Sequence, residues 1–250
     1  MAVREQIYTI PVNDAFAQEE ICPLCVLEKV RTEALLEFYL GPSLMEADQR
    51  LQTNDKGFCR EHLAAMYNSQ KNRLGLGLML HTHLKDLTPY AEETMQKALP
   101  EEKKGGLFSR NKKDWKAELN EAASALRAKT ESCVICEHLA ETMERYLDVI
   151  FWQYCEDEMF RKKFQTGQGF CLGHTADLLE GAAKYLKQNQ AKAFVTDLKN
   201  LEIRQLESLS GDVEWFTLKF DYRNQDAPWK NSKDAVPRAI RRLVGEADLS

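Results

Sequence analysis

The chain contains eight side chains whose types and spacing could bind metal ions. In each of two copies, a Cys-x-x-Cys pair is followed by a Cys-x-x-His pair that Gly-Phe introduces. The third cysteine lies 37 residues after the first in one copy and 38 in the other. Thiolate and imidazole are preferred zinc ligands, and paired motifs at matched spacing are typical of zinc sites. The predicted metal ligands are Cys22, Cys25, Cys59, His62, Cys133, Cys136, Cys171 and His174.

Each copy of the motif is expected to form its own site from three cysteines and one histidine. Three thiolates and one imidazole complete the tetrahedral shell of Zn²⁺, whereas a catalytic zinc keeps one position open for water or substrate. We therefore predict two zinc ions with a structural role. Iron–sulfur clusters are the alternative cofactor, because they are also held by cysteine and occasionally by histidine.

Two other interpretations of the cysteines are weaker. Free cysteines are often buried as small hydrophobic side chains, but that would give no reason for a histidine at the fourth position of both copies. The segment Cys22-Pro-Leu-Cys25 also resembles a thioredoxin-like redox pair, which needs a strand leading into its helix. Residues 13–20 instead have the composition of a polar helix or turn.

The elements of the first copy follow from its apolar spacing. Apolar residues recur at helical intervals over residues 26–39, and Gly41-Pro42 should end that helix. A shorter helix is predicted for residues 44–51 and a turn for residues 54–57. One further helical stripe, loosened by glycines, is expected over residues 59–78. The first copy is therefore a long helix, a short return and a second long helix.

The second copy shows the same order of elements. A helix is expected after Cys136, a turn over residues 165–169 and a closing helix over residues 178–186. Both types of ligand pair should lie at helix N-termini, where residues i and i+3 share a face. Free N–H groups and the positive end of the helix dipole would stabilise thiolates there.

Composition indicates an all-α protein, because Leu, Ala, Glu, Lys and Gln dominate while Val and Ile are sparse. We predict an internally duplicated helical bundle with pseudo-twofold repeats, each clamped by a metal site. The expected parts are a first repeat over residues 1–105, a second over residues 106–210, and an aromatic and basic C-terminal extension over residues 211–250 that packs on the bundle. The charged segment 100–113 is predicted to be a solvated linker between the repeats.

Charge and hydropathy restrict the class of protein. A formal charge of −5 argues against nucleic acid as a partner, and no apolar stretch reaches the length of a transmembrane helix. The N-terminus lacks the pattern of a signal peptide, so a cytoplasmic location is expected. No phosphate-binding loop, nucleophile elbow or zinc-protease motif is present in the sequence, which argues against an enzyme without excluding one.

Four residues outside the motifs are weaker candidates for metal ligands, and we expect them to have ordinary roles. His81 and His83 are two positions apart in a predicted helix, so they point in different directions and make a poor chelating pair. His138 could substitute for a ligand, but Leu27 occupies the equivalent position of the first copy. Cys155 lies outside both motifs and is expected to pack in the interior.

The paired motifs and the closing segments 220–224, 228–229 and 232–240 resemble an uncharacterised bacterial family that spans nearly the whole chain. This resemblance implies no particular chemistry. From the residues, we expect a zinc-binding helical protein that acts as a binding or scaffold protein for a protein or small-molecule partner. The alternative function is an iron–sulfur or other metal-dependent redox protein or enzyme.

Overall fold

The computed structural model describes residues 4–18, 21–100, 114–247 and 249 of the 250-residue chain. All regular secondary structure in these residues is helical, which confirms the prediction of an all-α protein. The predicted linker falls almost entirely on residues 101–113 and so lies outside the described residues.

The described part of the chain contains eleven α-helices and two short 3₁₀ helices, Pro42–Met45 and Tyr222–Asn224. The α-helices are α1 (Arg4–Ala15), α2 (Pro23–Leu40), α3 (Ala47–Lys56), α4 (Arg60–Asn68), α5 (Arg73–Lys97), α6 (Trp115–Glu131), α7 (Val134–Glu156), α8 (Glu158–Thr166), α9 (Leu172–Tyr185), α10 (Gln188–Leu218) and α11 (Ala235–Val244).

Helix α2 ends where the sequence predicts and begins three residues before the predicted apolar pattern. It begins at Pro23, where the fixed φ angle and the missing N–H of proline suit the first helical position. It ends at Leu40, before Gly41-Pro42. The predicted short helix lies later than expected, because a 3₁₀ turn occupies residues 42–45 and α3 continues to Lys56. The predicted turn is therefore reduced to the residues around Gly57.

The stripe after Cys59 forms two helices instead of one. Helix α4 ends at Asn68, and Asn72 then adopts a φ angle of 40° and caps α5. The Asn72 side chain accepts a hydrogen bond from the Gly75 N–H at 2.9 Å and donates one to the Leu40 carbonyl at 2.6 Å. The polar residues 69–72 were the sequence signal for this break, because asparagine and serine favour caps and turns.

The chain divides into two compact units. Unit 1 comprises Met1–Arg31 and Glu141–Ser250, and unit 2 comprises Thr32–Ala140. These limits fall at other positions than the expected parts 1–105, 106–210 and 211–250. Helices α2 and α7 each have residues in both units, so each unit combines segments from both copies of the motif.

Unit 1 has an aromatic core. The Phe164 ring centroid lies 5.5 Å from that of Phe170 and 5.1 Å from that of Phe194, and all three side chains are buried. Burial of each such side chain contributes about 1.5–3 kcal/mol. Because Phe170 directly precedes Cys171, this core fixes the start of the second Cys-x-x-His pair. Helix α11 packs on α9 and α10 within the same unit.

Unit 2 has a smaller core around Tyr39, which is fully buried. The ring of Phe58 lies 5.8 Å from the Tyr39 ring and packs against this core, so the residue before Cys59 is again an anchor. Val134 and Ile135, the two residues inside the second Cys-x-x-Cys pair, are also fully buried. Hydrophobic burial therefore holds this pair at the start of α7.

No helix among residues 4–18, 21–100 and 114–247 combines the length and the apolar character that crossing a bilayer requires.

Candidate metal centres

The structure brings the eight predicted ligands together in two groups of four, each able to hold a metal ion. Within each group, the ligand atoms all lie within 4.8 Å of one another. The expected pairing within each copy is wrong, because each group combines the Cys-x-x-Cys pair of one copy with the Cys-x-x-His pair of the other. Centre A consists of Cys22, Cys25, Cys171 and His174, and centre B consists of Cys59, His62, Cys133 and Cys136.

In centre A, three sulfur atoms surround one ring nitrogen. The Sγ atoms of Cys22, Cys25 and Cys171 lie 3.4, 3.3 and 3.2 Å from Nδ1 of His174. The Sγ atoms of Cys25 and Cys171 are 3.7 Å apart. All four residues belong to unit 1.

Centre B has nearly the same dimensions within unit 2. The Sγ atoms of Cys59, Cys133 and Cys136 lie 3.2, 3.4 and 3.3 Å from Nδ1 of His62. The Sγ atoms of Cys59 and Cys136 are 3.7 Å apart.

These distances match the ligand shell of one tetrahedral ion. With zinc–sulfur and zinc–nitrogen bonds of about 2.3 and 2.0 Å, tetrahedral geometry places two sulfurs about 3.8 Å apart and a sulfur and a nitrogen about 3.5 Å apart. The observed separations of 3.7 Å and 3.2–3.4 Å lie within 0.3 Å of these values. Each centre therefore has the size of a site for a single ion.

Each ligand pair begins at the residue before a helix, as expected from the sequence. Cys59 and Cys171 are the N-cap residues of α4 and α9, and both have extended backbone angles. The Sγ atom of Cys171 accepts a hydrogen bond from the backbone N–H of His174 at 3.5 Å. The Sγ atom of Cys133 accepts one from the N–H of Cys136 at the same distance. Helix N-termini thus provide donors that stabilise negative sulfur.

The Gly-Phe dipeptide before each Cys-x-x-His pair has a structural reason that sequence reasoning missed. Gly57 and Gly169 have φ angles of 66° and 87°, a region that side chains rarely adopt. A Cβ atom at Gly57 would lie 2.8 Å from the His83 ring, and one at Gly169 would lie 2.6 Å from the Arg242 guanidinium. The glycines therefore permit both the turn and the close approach of another side chain.

A buried arginine and glutamate support the turn of centre A. Arg242 donates hydrogen bonds to the carbonyls of Phe170, at 2.7 Å, and Gln168. Glu202 accepts one from the Phe170 N–H at 2.7 Å, and its other carboxylate oxygen lies 3.6 Å from the guanidinium. Both side chains are less than 10% exposed. A basic C-terminal extension was predicted here, but the burial of one of its arginines was not. The available sequence signal for this burial was that Arg242 lies seven residues, or about two helical turns, after Ala235. The two residues therefore share one face of the helix.

The thiols of centre A differ in their pKa values. Hydrogen bonds from Cys22 and Cys25 hold the pKa of the Cys171 thiol far below its ordinary value. The hydrogen bond to Cys171 raises the pKa of Cys25 far above its own. Burial lowers the pKa of His174, but hydrogen bonds with Cys171 and Cys22 outweigh it and raise the pKa to about 10. Binding of a divalent ion here would release protons from the histidine and the remaining thiols.

The histidine of centre A also has a carboxylate partner. Nε2 of His174 lies 3.6 Å from Glu28, which belongs to the first turns of α2. Because His174 directs Nδ1 to the sulfurs, a carboxylate near the other ring nitrogen would fix the orientation of the ring and increase the basicity of Nδ1.

The four weaker candidates for metal ligands lie outside both groups. Nδ1 of His83 donates a hydrogen bond to the Asn54 carbonyl at 2.7 Å, whereas His81 is exposed. The His138 ring lies 6.3 Å from that of Tyr39. Cys155 is exposed, so the expectation that it packs in the interior is wrong.

The profile of the family of unknown function DUF6062 matches residues 3–250. The chain belongs to this family. The resemblance inferred from the motifs and the closing segments is thereby confirmed for nearly the whole length of the chain. No curated protein and no solved structure matches it.

Proposed function

We propose that this DUF6062 protein is a zinc protein in which two ions have a structural role. The observation that carries the proposal is the arrangement of three sulfurs around one Nδ1 atom in both centres, at the separations of a tetrahedral ligand shell. Four such ligands, gathered twice from distant parts of the chain, have no simple explanation as ordinary core cysteines.

The dimensions favour a single ion over an iron–sulfur cluster. In each centre two sulfurs lie 3.7 Å apart, close to van der Waals contact. A cluster places several irons and sulfides between its cysteine ligands, and the ligands would have to spread apart to accommodate it. Borderline-soft Zn²⁺ suits three thiolates and an imidazole. All seven cysteines are free, which supports a reducing compartment such as the cytoplasm.

A structural role follows from the completeness of the ligand shell. Four protein ligands leave no coordination position for water or substrate, which a catalytic zinc needs. Each ion would also join segments that are far apart in sequence, because 146 residues separate Cys25 from Cys171 and 77 separate Cys59 from Cys136. Zinc binding contributes about 10–16 kcal/mol in small zinc domains, so metal and fold should be strongly coupled.

We further propose that the chain arose by internal duplication, and that each Cys-x-x-Cys pair now shares its metal with the Cys-x-x-His pair of the other copy. The order of helices supports this: α1 to α5 and α6 to α10 each place a helix before a Cys-x-x-Cys pair and a Cys-x-x-His pair before a later helix. The helix after each Cys-x-x-Cys pair passes from one unit to the other, which accounts for the exchange.

The role proposed for this helical protein, stabilised by its two zinc ions, is to bind a protein or small-molecule partner. Phe220 and Tyr222 in unit 1 are 73% and 80% exposed, and large exposed aromatic side chains are common at recognition surfaces. The alternative is a redox protein with iron at the same ligands, and metal analysis separates the two.

The test is metal content by mass spectrometry, together with the absorption spectrum after replacement by Co²⁺. Two zinc ions per chain and the intense visible bands of tetrahedral cobalt–thiolate sites are expected. The variant Cys155→Ala is a matched control, because this cysteine lies outside both centres and should leave the metal content unchanged. Iron as the bound metal would favour the redox alternative, and a chain without metal would refute the proposal.

A further inference from the structure

The two centres differ in how far their ligands are accessible to solvent. In centre A the exposed fractions of Cys22, Cys25, Cys171 and His174 are 4, 7, 3 and 9%. In centre B, His62 and Cys133 are buried to a similar degree, but Cys59 is half-buried and Cys136 is exposed. Cys136 is therefore the ligand residue of the two centres that is most accessible to molecules in solution.

The chain directly after the C-terminal helix covers part of centre A. Helix α11 packs on α9 and α10, and Gly245 follows its last turn. A Cβ atom at Gly245 would lie 3.7 Å from the sulfurs of both Cys25 and Cys171, so the chain at this point covers the thiols.

Charge adds to this difference. Three thiolates against a divalent ion leave each loaded centre with about one negative charge. In centre A, the buried Arg242 guanidinium lies close enough to interact electrostatically with Cys22, Cys171 and Cys25. A buried positive charge beside an anionic centre favours the loaded state, as does the carboxylate of Glu28 beside His174.

We propose that the two centres have different tasks: centre A holds its zinc permanently, and centre B exchanges zinc with small thiol or amine chelators. This inference rests on the two proposed zinc sites; it keeps a purely structural role for the ion of centre A and makes the ion of centre B, in unit 2, exchangeable. The chemical class of the ligand is a soft or borderline chelator that can approach Cys136 from solvent.

The exchange step is a ligand substitution at the metal. A donor atom of the incoming chelator forms a bond to zinc while the bond between zinc and Cys136 Sγ breaks. The departing thiolate takes a proton from solvent, and the zinc ion keeps its charge and its electron count. Repetition at Cys59 and the two buried ligands transfers the ion to the chelator. In centre A, the segment after α11 blocks the first of these steps.

The test follows the release of zinc from the full-length, zinc-loaded chain to excess 4-(2-pyridylazo)resorcinol, with Cys155→Ala as the background. We expect zinc release in two kinetic phases, each of one zinc ion per chain. Their rates should differ by about tenfold or more, because groups around the ligands change metal affinity by about this factor. In Cys136→Ala the fast equivalent should be lost and the slow one retained.

A second measurement needs no ligand variant. Brief treatment of the zinc-loaded protein with N-ethylmaleimide forms a carbon–sulfur bond at an accessible thiolate, and the adjacent carbon takes up a proton. In the Cys155→Ala background, which removes the exposed cysteine outside the centres, peptide mapping should show modification at Cys136 first and at Cys22, Cys25 and Cys171 last.

The possible failures are distinguishable. Release of both equivalents in one phase, or persistence of the fast equivalent in Cys136→Ala, would overturn the division of tasks while leaving two zinc sites in place. Equal modification of both centres would have the same meaning. A wild-type chain that binds no zinc would instead remove the proposed function itself.

Discussion

Replacement of Arg242 by methionine should strongly destabilise unit 1. The side chain donates to two backbone carbonyls, of Phe170 and Gln168, and forms an ion pair with Glu202 at 3.6 Å, all in the interior. Methionine is similar in length but leaves the carboxylate and the carbonyls without their partner. Removal of one member of a buried ion pair costs about 3–5 kcal/mol.

Thermal unfolding followed by circular dichroism measures this effect. For a chain of this size, each kcal/mol lowers Tm by about 2–4 °C, so Arg242→Met should lower Tm by about 6–20 °C. The matched control is Arg241→Met on the same helix, whose ion pair with Glu246 is more exposed and contributes at most about 1 kcal/mol. A shift for Arg242→Met no larger than that of the control would refute the reasoning about the buried pair.

Gly181→Ala should lower the unfolding free energy by about 1–3 kcal/mol, because its Cβ would lie 2.4 Å from the buried Phe151 ring. Gly173→Ala on the same helix is the control: its Cβ meets no atom within 4 Å, so it should raise the unfolding free energy by up to about 1 kcal/mol. Urea unfolding of both variants checks this. Burial raises the pKa of Glu202, so folding favours the protonated form of this carboxyl group. The stability gained from that preference is fully present below the pKa of the unfolded chain and is lost as pH rises through the pKa of the folded chain. In an Arg242→Met background the pKa rises further, and adding Glu202→Gln should therefore increase the urea midpoint more at pH 8 than at pH 5. Equal gains at both pH values would contradict this.

The ligands could be predicted from the sequence because their signals are local. A Cys-x-x-Cys or Cys-x-x-His pair at the start of a helix needs only four consecutive residues, and the apolar spacing after Cys25 predicts α2 to within a few residues. Proline at position 23 also acts through neighbouring backbone geometry. These features would be recognisable in any fold that contained them.

The pairing of the ligands could not be predicted, because both copies have the same motifs at nearly the same spacing. Cys22 and Cys25 could meet His62 or His174 with equal local chemistry, and the choice depends on where α2 and α7 lead the chain. The ion pair between Arg242 and Glu202 likewise depends on the packing of α11 against α9 and α10, which no local pattern specifies.

The most direct test of the exchanged pairing is the zinc content of two double variants, measured by mass spectrometry against a wild-type chain that binds two ions. Cys22 and Cys171 lie in the same centre, so Cys22→Ala with Cys171→Ala should retain about one zinc per chain. Cys22 and Cys59 lie in different centres, so Cys22→Ala with Cys59→Ala should retain almost none. The reverse pattern would show that each copy forms its own site and would contradict the arrangement of centres A and B.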